Sequence, residues 1–302
     1  MVVLSWANPG ACVCPCLSCV GYDSVPVVTG FIAHDKEGRI TTLGRGGSDL
    51  TASTLGVASN VDEIQVWKDV NGIMSANPKL VPDAVPVPFV SFEEAAELAY
   101  FGAEILHPIS MIPAMKYNIP VRVKNSYNPS HPGTVITAER DYGDTLVTAI
   151  TTKRNIDLVD IVSTWMLGQY GFLSKVFSIF EELKLSVDVV ATSEVSISLT
   201  LDKKKSGGKE NEEKMVQELQ KYASVTIHDN RAIVSLIANV ERSSEVMAIV
   251  FDALKDAGIQ VEMLSQGASK VNISLIVRDE DCEKTIKVIH DRFFGTHASS
   301  EA

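Results

Sequence analysis

The chain has 302 residues, enough for about two domains of ordinary size. Hydrophobic residues make up 45% and charged residues 22%, as in typical globular proteins, and no apolar run of about 18 residues predicts a membrane span. The formal net charge of -11 argues against binding to nucleic acid or anionic lipid, because both would be repelled.

Four of the five cysteines lie in the stretch CVCPCLSC near the N-terminus. Zinc sites usually take two C-x-x-C pairs separated by a longer segment, whereas these cysteines crowd into one short stretch that contains Pro15. The spacing therefore predicts no metal site, and residues 1–24 are expected to lie outside the packed fold. The segment also lacks Lys and Arg, unlike a signal or transit peptide. The four residues are Cys12, Cys14, Cys16 and Cys19.

From Val25 onward, predicted strands and helices alternate. In chain order they are a buried strand in VPVVTGFIAHD, a helix in SDLTASTLGVASN with Ser48 as N-cap, a strand in VDEIQVWKD ended by an Asn71-Gly72 turn, helices in VSFEEAAELAYFG and HPISMIPAMKYN, and strands in IPVRVKNS and GTVITA. Ser91 and Glu94 have the spacing of a capping box, and Gly102 is a helix stop. This alternation predicts an α/β layer with a largely parallel sheet.

An internal repeat follows residue 144. VFSIFEELKLSVDVV (176–190) aligns with VFDALKDAGIQVEML (250–264), and SEVSISLTL (193–201) aligns with SKVNISLIV (269–277). Each unit is predicted to run strand, helix, strand, strand, helix. The first unit ends with a further strand at 224–229, whereas the second has none after Gly295. We therefore expect the strand at 145–153 to complete the second unit, giving one compact lobe.

The repeat resembles the ACT module, a βαββαβ fold that binds amino acids. The upstream part resembles the C-terminal part of an amino-acid-kinase domain, and the whole of residues 25–295 is similar to aspartate kinase, most closely the plant monofunctional, lysine-sensitive form. TTLGRGGSDLTA, VWKDVNGIMSANPK, FGAEILHP and TSEVSISLTLD carry the resemblance in the expected order. The resemblance implies an α/β partial kinase domain at 25–144, two ferredoxin-like ACT domains at 145–230 and 231–295, and a disordered tail at 296–302.

The glycine-rich stretch has the chemistry of an amino-acid site. Gly44, Gly46 and Gly47 let backbone amides approach an anion at the start of a helix. Arg45 offers a planar fork for a carboxylate or phosphate, and Asp49 an acceptor for an ammonium group. In aspartate kinases the matching Arg and Asp hold the substrate aspartate, and the matching Ser, here Ser48, lies beside the phosphates. The structural alternative is a glycine turn with a capped helix and a solvated Arg-Asp pair.

The resemblance implies ATP and Mg²⁺ as cofactors. The family uses WKDVNGIMSANPK as its nucleotide pocket, where cations offset the charge of the moving phosphoryl group. The alternatives are solubility for the lysines and packing for Met74, and for His107 we prefer a helix cap over catalysis. The implied cofactor-binding residues are Gly46, Gly47, Lys68, Asp69, Gly72, Met74 and Lys79.

The implied reaction is transfer of the ATP γ-phosphate to the β-carboxylate of L-aspartate, the first step towards lysine, threonine, methionine and isoleucine. Aspartate kinases also carry a Lys-Phe-Gly-Gly-Thr segment and a His-Gly-Glu or Phe-Gly-Glu segment. Neither segment occurs in this sequence. We therefore expect this chain alone to be inactive while retaining lysine binding. A glutamate or acetylglutamate kinase is disfavoured by the tandem ACT repeat.

L-lysine is the implied effector, bound to an ACT homodimer, and S-adenosylmethionine stays open as a co-effector. Asp188 would accept the effector ammonium, and amides at the start of a helix at 171–184 its carboxylate. Several of the apolar residues are also expected in the core. The resemblance implies a chloroplast location, with cytoplasm as the alternative. The effector residues are Met166, Phe172, Leu173, Val187, Asp188 and Ser193.

Overall fold

The computed structural model describes residues 2–5, 27–103, 106–163, 170–203, 208–267 and 269–295. The predictions for the four N-terminal cysteines, for Met166 and for the tail at 296–302 fall outside these ranges. The chain divides into two compact units: the N-terminal unit ends at Ala149 and includes Ile237–Asn239, and the C-terminal unit takes the remaining residues. Among the described helices, none is long and apolar enough to cross a bilayer.

A five-stranded sheet with order β1-β4-β6-β7-β5 forms the N-terminal unit, together with three helices and a separate hairpin, β2-β3. Apolar side chains of β4, β6 and β7 pack against α2 and α3 in one core. The elements are β1 (Val2–Ser5), β2 (Ile32–His34), β3 (Ile40–Thr42), α1 (Gly47–Ala58), β4 (Glu63–Lys68), β5 (Phe89–Ser91), α2 (Phe92–Tyr100), α3 (Pro108–Lys116), β6 (Val121–Asn125) and β7 (Thr134–Thr137).

This sheet is mixed, so the expectation of a largely parallel sheet is wrong. β4 pairs parallel with β6 and β5 with β7, but β6 and β7 are antiparallel, as are β1 and β4. Since β1 is part of this sheet, the expectation that residues 1–24 lie outside the packed fold is wrong for Val2–Ser5. β6 and β7 are joined by a loop without a helix, and such a loop cannot make a parallel crossover. The prediction of a buried strand at the start of the unit is also wrong. Among the described residues of that stretch only β2 forms, its one described partner is β3, and Ile32 is exposed.

The predicted capping box at the start of α2 is confirmed. Ser91 Oγ accepts from the Glu94 amide at 3.1 Å, and the Glu94 carboxylate accepts from the Ser91 amide at 2.7 Å. The buried carboxylate also accepts from Thr148 Oγ1 at 2.7 Å and lies 3.5 Å from Arg140. Burial, and then the charge of Glu94, raise the pKa of Tyr142 to about 12. Glu94 therefore belongs both to the cap of α2 and to a buried cluster of charged and polar groups.

The C-terminal unit is built on a six-stranded sheet with order β12-β13-β11-β8-β10-β9. Two strands are unusually long. Each joins a strand predicted from sequence, at 145–153 or at 224–229, to the strand that opens one of the repeats. The elements are β8 (Val147–Val162), α4 (Phe172–Glu182), β9 (Val187–Thr192), β10 (Ser196–Asp202), α5 (Lys209–Leu219), β11 (Ser224–Ala238), α6 (Ser243–Ala257), β12 (Met263–Ser265), β13 (Asn272–Arg278) and α7 (Cys282–Phe294).

Each long strand has an asparagine with positive φ near its middle, Asn155 in β8 and Asn230 in β11. Asparagine tolerates this left-handed conformation better than most residues, and a residue in it interrupts the pleat and bends the strand. The two halves of each strand can therefore serve both repeats. β8 and β11 are neighbours in the sheet, as completion of the second repeat by residues 145–153 requires. The domain boundaries themselves stay a prediction.

Cys282 begins α7 and is fully buried. Burial raises the pKa of its thiol to about 11, above the 9 of an unfolded chain. The folded state therefore holds the thiol proton more tightly than the unfolded chain. The stabilisation that this provides is fully present below pH 9 and is lost as the pH rises to about 11. We expect the free energy of unfolding to drop across this window by about 2 kcal/mol more than in a Cys282→Ala variant.

Urea titrations of both proteins at several pH values measure this difference. The alanine variant is the control, because every other titrating group is common to the two proteins. Parallel pH profiles would show that the thiol ionises as freely in the fold as in the unfolded chain.

Candidate functional site

The glycine-rich loop leads into α1, whose N-cap lies two residues earlier than predicted. Gly46 is the N-cap with φ of 77°, and no side chain caps the helix, so the prediction of Ser48 as N-cap is wrong. The Gly46 carbonyl accepts from the Leu50 amide at 2.9 Å. Because glycine takes the left-handed conformation without strain, the chain can turn at Gly46 and start the helix at once. The first amides of α1 are therefore not covered by a capping side chain.

The loop is packed against the start of α3. A Cβ added to Gly46 would lie 2.5 Å from the Cβ of His107, which is the N-cap of α3. His107 Nδ1 accepts from the Ile109 amide at 3.4 Å, which confirms its predicted role as a cap. The N-termini of α1 and α3 thus meet at one point, and both carry partial positive charge. Nothing local in the sequence pairs these two residues, so the convergence was missed.

Arg45 and Asp49 flank this meeting point. Arg45 and Ser48 are exposed, and Asp49 is half-buried in the first turn of α1. Among the described residues no ion pair joins Arg45 to Asp49, which goes against the alternative of a solvated Arg-Asp pair. The guanidinium and the carboxylate are both accessible, and an amino acid has the two opposite charges that they require.

The predicted nucleotide stretch contacts the end of β6 and the start of β7. Gly72 has φ of 108° and abuts Thr134, whose Oγ1 accepts from the Ile73 amide at 2.7 Å. Asn125 Nδ2 donates to Asn71 Oδ1 at 2.8 Å. β4 ends at Lys68, shortly before the Asn71-Gly72 turn, as predicted. The turn does not close a hairpin on β4, whose neighbours are β1 and β6.

The other nucleotide-side residues are distributed along this stretch. Lys68 ends β4, Met74 forms an isolated bridge with Pro86, and Asp69 and Lys79 are exposed. In the part of the chain that the structure describes, no hydrogen bond or ion pair joins Arg45 or Asp49 to Asp69 or Lys79. The glycine loop and the nucleotide stretch are therefore separately anchored.

The predicted effector residues lie on α4, on β9 and in the turn after β9. Phe172 is buried in the core between α4 and the sheet, Val187 packs against the same core, and Leu173 is exposed. Ser193 Oγ lies 2.6 Å from Ser196 Oγ in the β9-β10 turn. The Asp188 side chain is fully buried and contacts Lys153. Several of these side chains thus stabilise the fold, as the sequence analysis allowed.

These residues fall into two groups at opposite ends of β9. Asp188 is near its beginning, which follows the C-terminal end of α4, whereas Ser193 lies just beyond its far end. Five residues of extended strand span about 16 Å. The N-terminus of α4, where Gly171 with φ of 91° is the N-cap, is one helix length from the end that leads to Asp188. Asp188 and this N-terminus are therefore far apart within one chain.

Comparison with known proteins identifies both parts of the chain. The model of the amino acid kinase family matches residues 20–125, and an ACT domain model matches residues 234–293. Aspartokinase 2, chloroplastic, of Arabidopsis thaliana is 56% identical over 281 residues, which cover 91% of this chain and 52% of that protein. The chain belongs to the aspartokinase family. It spans about half the length of the Arabidopsis relatives that it matches.

Solved aspartokinase structures share the fold. Escherichia coli aspartokinase III in complex with aspartate and ADP is 36% identical with a TM-score of 0.74, covering 88% of this chain and 60% of that chain. The same enzyme in complex with lysine and aspartate gives a TM-score of 0.71 at 36% identity, covering 88% of this chain and 59% of that chain. The α/β fold class predicted from the sequence, with an amino-acid-kinase part followed by an ACT part, is confirmed.

Proposed function

We propose that this chain carries the aspartate-binding wall of an aspartokinase that transfers the γ-phosphoryl group of ATP to the β-carboxylate of L-aspartate, giving 4-phospho-L-aspartate. The observation that carries the proposal is the convergence of the α1 and α3 N-termini at Gly46 and His107, beside the accessible Arg45 and Asp49. Two positive helix ends and a guanidinium favour an anion, and the carboxylate of Asp49 favours an ammonium group. One ligand that satisfies both demands is an amino acid.

Each residue then has a role. Arg45 binds a carboxylate of aspartate, Asp49 binds its ammonium group, and the Ser48 amide, which follows Gly46 and Gly47, faces the anionic side. The Gly47 amide instead donates to the Gly44 carbonyl at 3.0 Å and holds the loop together. The β-carboxylate attacks phosphorus, the bond between the γ-phosphorus and the bridging oxygen breaks, and ADP leaves with that electron pair. No enzyme group becomes covalently attached, so positioning and electrostatics account for the rate.

On the nucleotide side, Lys68 and Lys79 offer cations for the phosphates, with Asp69, Gly72 and Met74 along the same stretch. The described residues contain no cluster of three or more His, Cys, Asp or Glu that could hold a metal. The carboxylate of Asp69 fits Mg²⁺ carried by the nucleotide, because Mg²⁺ commonly takes one or two carboxylates together with substrate phosphates. When bound, Mg²⁺ would spread the negative charge of the phosphates.

Aspartate binding tests the substrate assignment directly. We expect Asp49→Asn to weaken binding of L-aspartate to the purified chain by about tenfold to a hundredfold, because the ammonium group loses its charged partner. Titration calorimetry measures this affinity. Glu37→Gln, an equal charge change on the exposed β2-β3 hairpin, is the control and should bind as the wild type does. Equal affinities in all three proteins would show that Asp49 does not bind aspartate.

A second candidate function is effector binding without turnover by this chain alone. Apolar side chains beside the glycine loop are exposed on the β2-β3 hairpin, where Ile40 is 76% exposed and Phe31 43% exposed. Exposed apolar surface next to a phosphoryl-transfer site leaves water access that such sites normally exclude. An assay of ADP formation that depends on both ATP and aspartate distinguishes the two candidates, and clear turnover by the isolated chain would eliminate this one.

We further infer that L-lysine is the effector and that a homodimer through the ACT repeats completes its site. Asp188 would bind the effector ammonium, and the amides that begin α4 its carboxylate. Since these groups lie far apart in one chain, the carboxylate would be bound by a second copy. Calorimetry with L-lysine and sedimentation with and without it test both points: binding by a monomer would disprove the shared site. The names of the Arabidopsis relatives, which are chloroplastic, support a chloroplast location. We also infer a place in lysine, threonine and methionine biosynthesis.

A further inference from the structure

A buried ion cluster lies where β9 begins. Lys153 Nζ is 2.5 Å from Asp188 Oδ2 and 3.0 Å from Asp202 Oδ2. The side chain of Asp188 is 0% exposed, and those of Asp202 and Lys153 are 9% and 14% exposed. β8, β9 and β10 each contribute one member, so the cluster is held by three neighbouring strands.

Lys153 places an ammonium group on the carboxylate that is proposed to bind the effector ammonium. Both ammonium groups offer the same charge and the same donors, so an effector that binds Asp188 must compete with Lys153. An ammonium group that leaves a buried carboxylate needs another acceptor, because a buried charge without one is costly. Asp202 meets that need, since it already contacts Lys153.

We propose that Lys153 is an internal competitor that sets the affinity of the effector site, shifting its ammonium from Asp188 to Asp202 when the effector binds. The proposal rests on the proposed effector site at Asp188. In the effector-free protein Lys153 bridges the two carboxylates, and only the fraction of molecules in which it has shifted is ready to bind. The apparent affinity is reduced by that fraction.

Two substitutions distinguish the proposed role of Lys153 as competitor from that of Asp202 as acceptor. Lys153→Met has similar length and no charge, so the competitor is gone and L-lysine should bind about tenfold more tightly. Asp202→Asn leaves Lys153 with Asp188 as its charged partner, so L-lysine should bind about tenfold more weakly. Titration calorimetry with L-lysine on the full chain measures both.

The control is Lys203→Met. Lys203 follows β10 and pairs with Asp157 at 2.9 Å, so this variant changes the net charge by the same amount without touching Asp188. Its affinity for L-lysine should stay within about twofold of wild type, because an exposed lysine is screened by solvent. Lys153→Met combined with Asp202→Asn removes one charge of each sign, and covers the case in which the single variant does not fold.

The outcomes separate this proposal from the effector site itself. If the wild type binds L-lysine and neither Lys153→Met nor the double variant binds more tightly than Lys203→Met, the competitor role is overturned while the effector site stands. If the wild type does not bind but the Lys153 variants do, Lys153 blocks the site and the competitor role is supported. If none of the folded proteins binds, both ideas are overturned.

Discussion

Replacing Gly46 by alanine will destabilise the N-terminal unit by about 3 kcal/mol and weaken its binding of aspartate. Gly46 has φ of 77°, which costs an L-residue roughly 1–2 kcal/mol. The new Cβ would also lie 2.5 Å from the Cβ of His107, an atom fixed close to the backbone of the α3 N-cap. Overpacking of this kind costs roughly 1–3 kcal/mol, and its relief must move the two helix N-termini apart.

Gly44→Ala is a matched control in the same loop. Gly44 has φ of 74°, almost the same as Gly46, but an added Cβ would meet no atom within 4 Å. We expect this variant to lose only the conformational contribution, about 1 kcal/mol, and to retain aspartate binding. Urea unfolding followed by circular dichroism gives the stabilities, and calorimetry gives the affinities. Equal losses in the two variants would mean that the contact with His107 is unimportant.

Truncating Glu94 to alanine will destabilise the N-terminal unit by about 4 kcal/mol. The Glu94 side chain is fully buried and accepts hydrogen bonds from the Ser91 amide and from Thr148 Oγ1, while Arg140 is 3.5 Å away. Removing one member of a buried pair leaves the other as an uncompensated charge, and a buried donor also loses its acceptor. The loss should exceed that of an ordinary cap, which is about 1 kcal/mol.

Glu93→Ala measures what a first-turn glutamate contributes without burial. Glu93 occupies the same turn of α2 but is exposed, so its removal should change the free energy of unfolding by no more than about 0.5 kcal/mol. Glu94→Gln keeps the size of the side chain and removes its charge, and should lie between the two alanine variants. The cluster would be energetically neutral if Glu94→Ala unfolded at the same urea concentration as Glu93→Ala.

Features held by neighbouring residues could be predicted from the sequence. The capping box of Ser91 and Glu94 and the cap at His107 depend on contacts within one helical turn, and both are present. The N-cap of α1 was misplaced at Ser48 because a serine is the usual signal there, whereas Gly46 begins the helix by its left-handed backbone. Capping rules therefore predict a helix start correctly when one residue can be the N-cap, and fail when two nearby residues, here Gly46 and Ser48, could both be the N-cap.

Features held by distant residues could not be predicted. The mixed order of the N-terminal sheet depends on which strands become neighbours, and strand periodicity alone does not specify this. The contact of Gly46 with His107 and the ion cluster of Lys153, Asp188 and Asp202 join segments from different elements. The side-chain chemistry of Asp188 fits the ammonium group of a ligand, whereas its contact with Lys153 depends on the pairing of strands that are distant in the sequence.

The family, the fold class and the repeat can be identified from the amino-acid sequence, because they depend on the order of motifs and on periodic residue patterns. Three features emerge only in the folded chain: the meeting of the two helix N-termini, the interruption of two long strands at Asn155 and Asn230, and the burial of carboxylates beside an ammonium group. The difference lies in the distance along the chain over which each interaction acts. Propensity and capping act within a few residues, whereas charge pairing and close packing act through space between segments that only folding brings together.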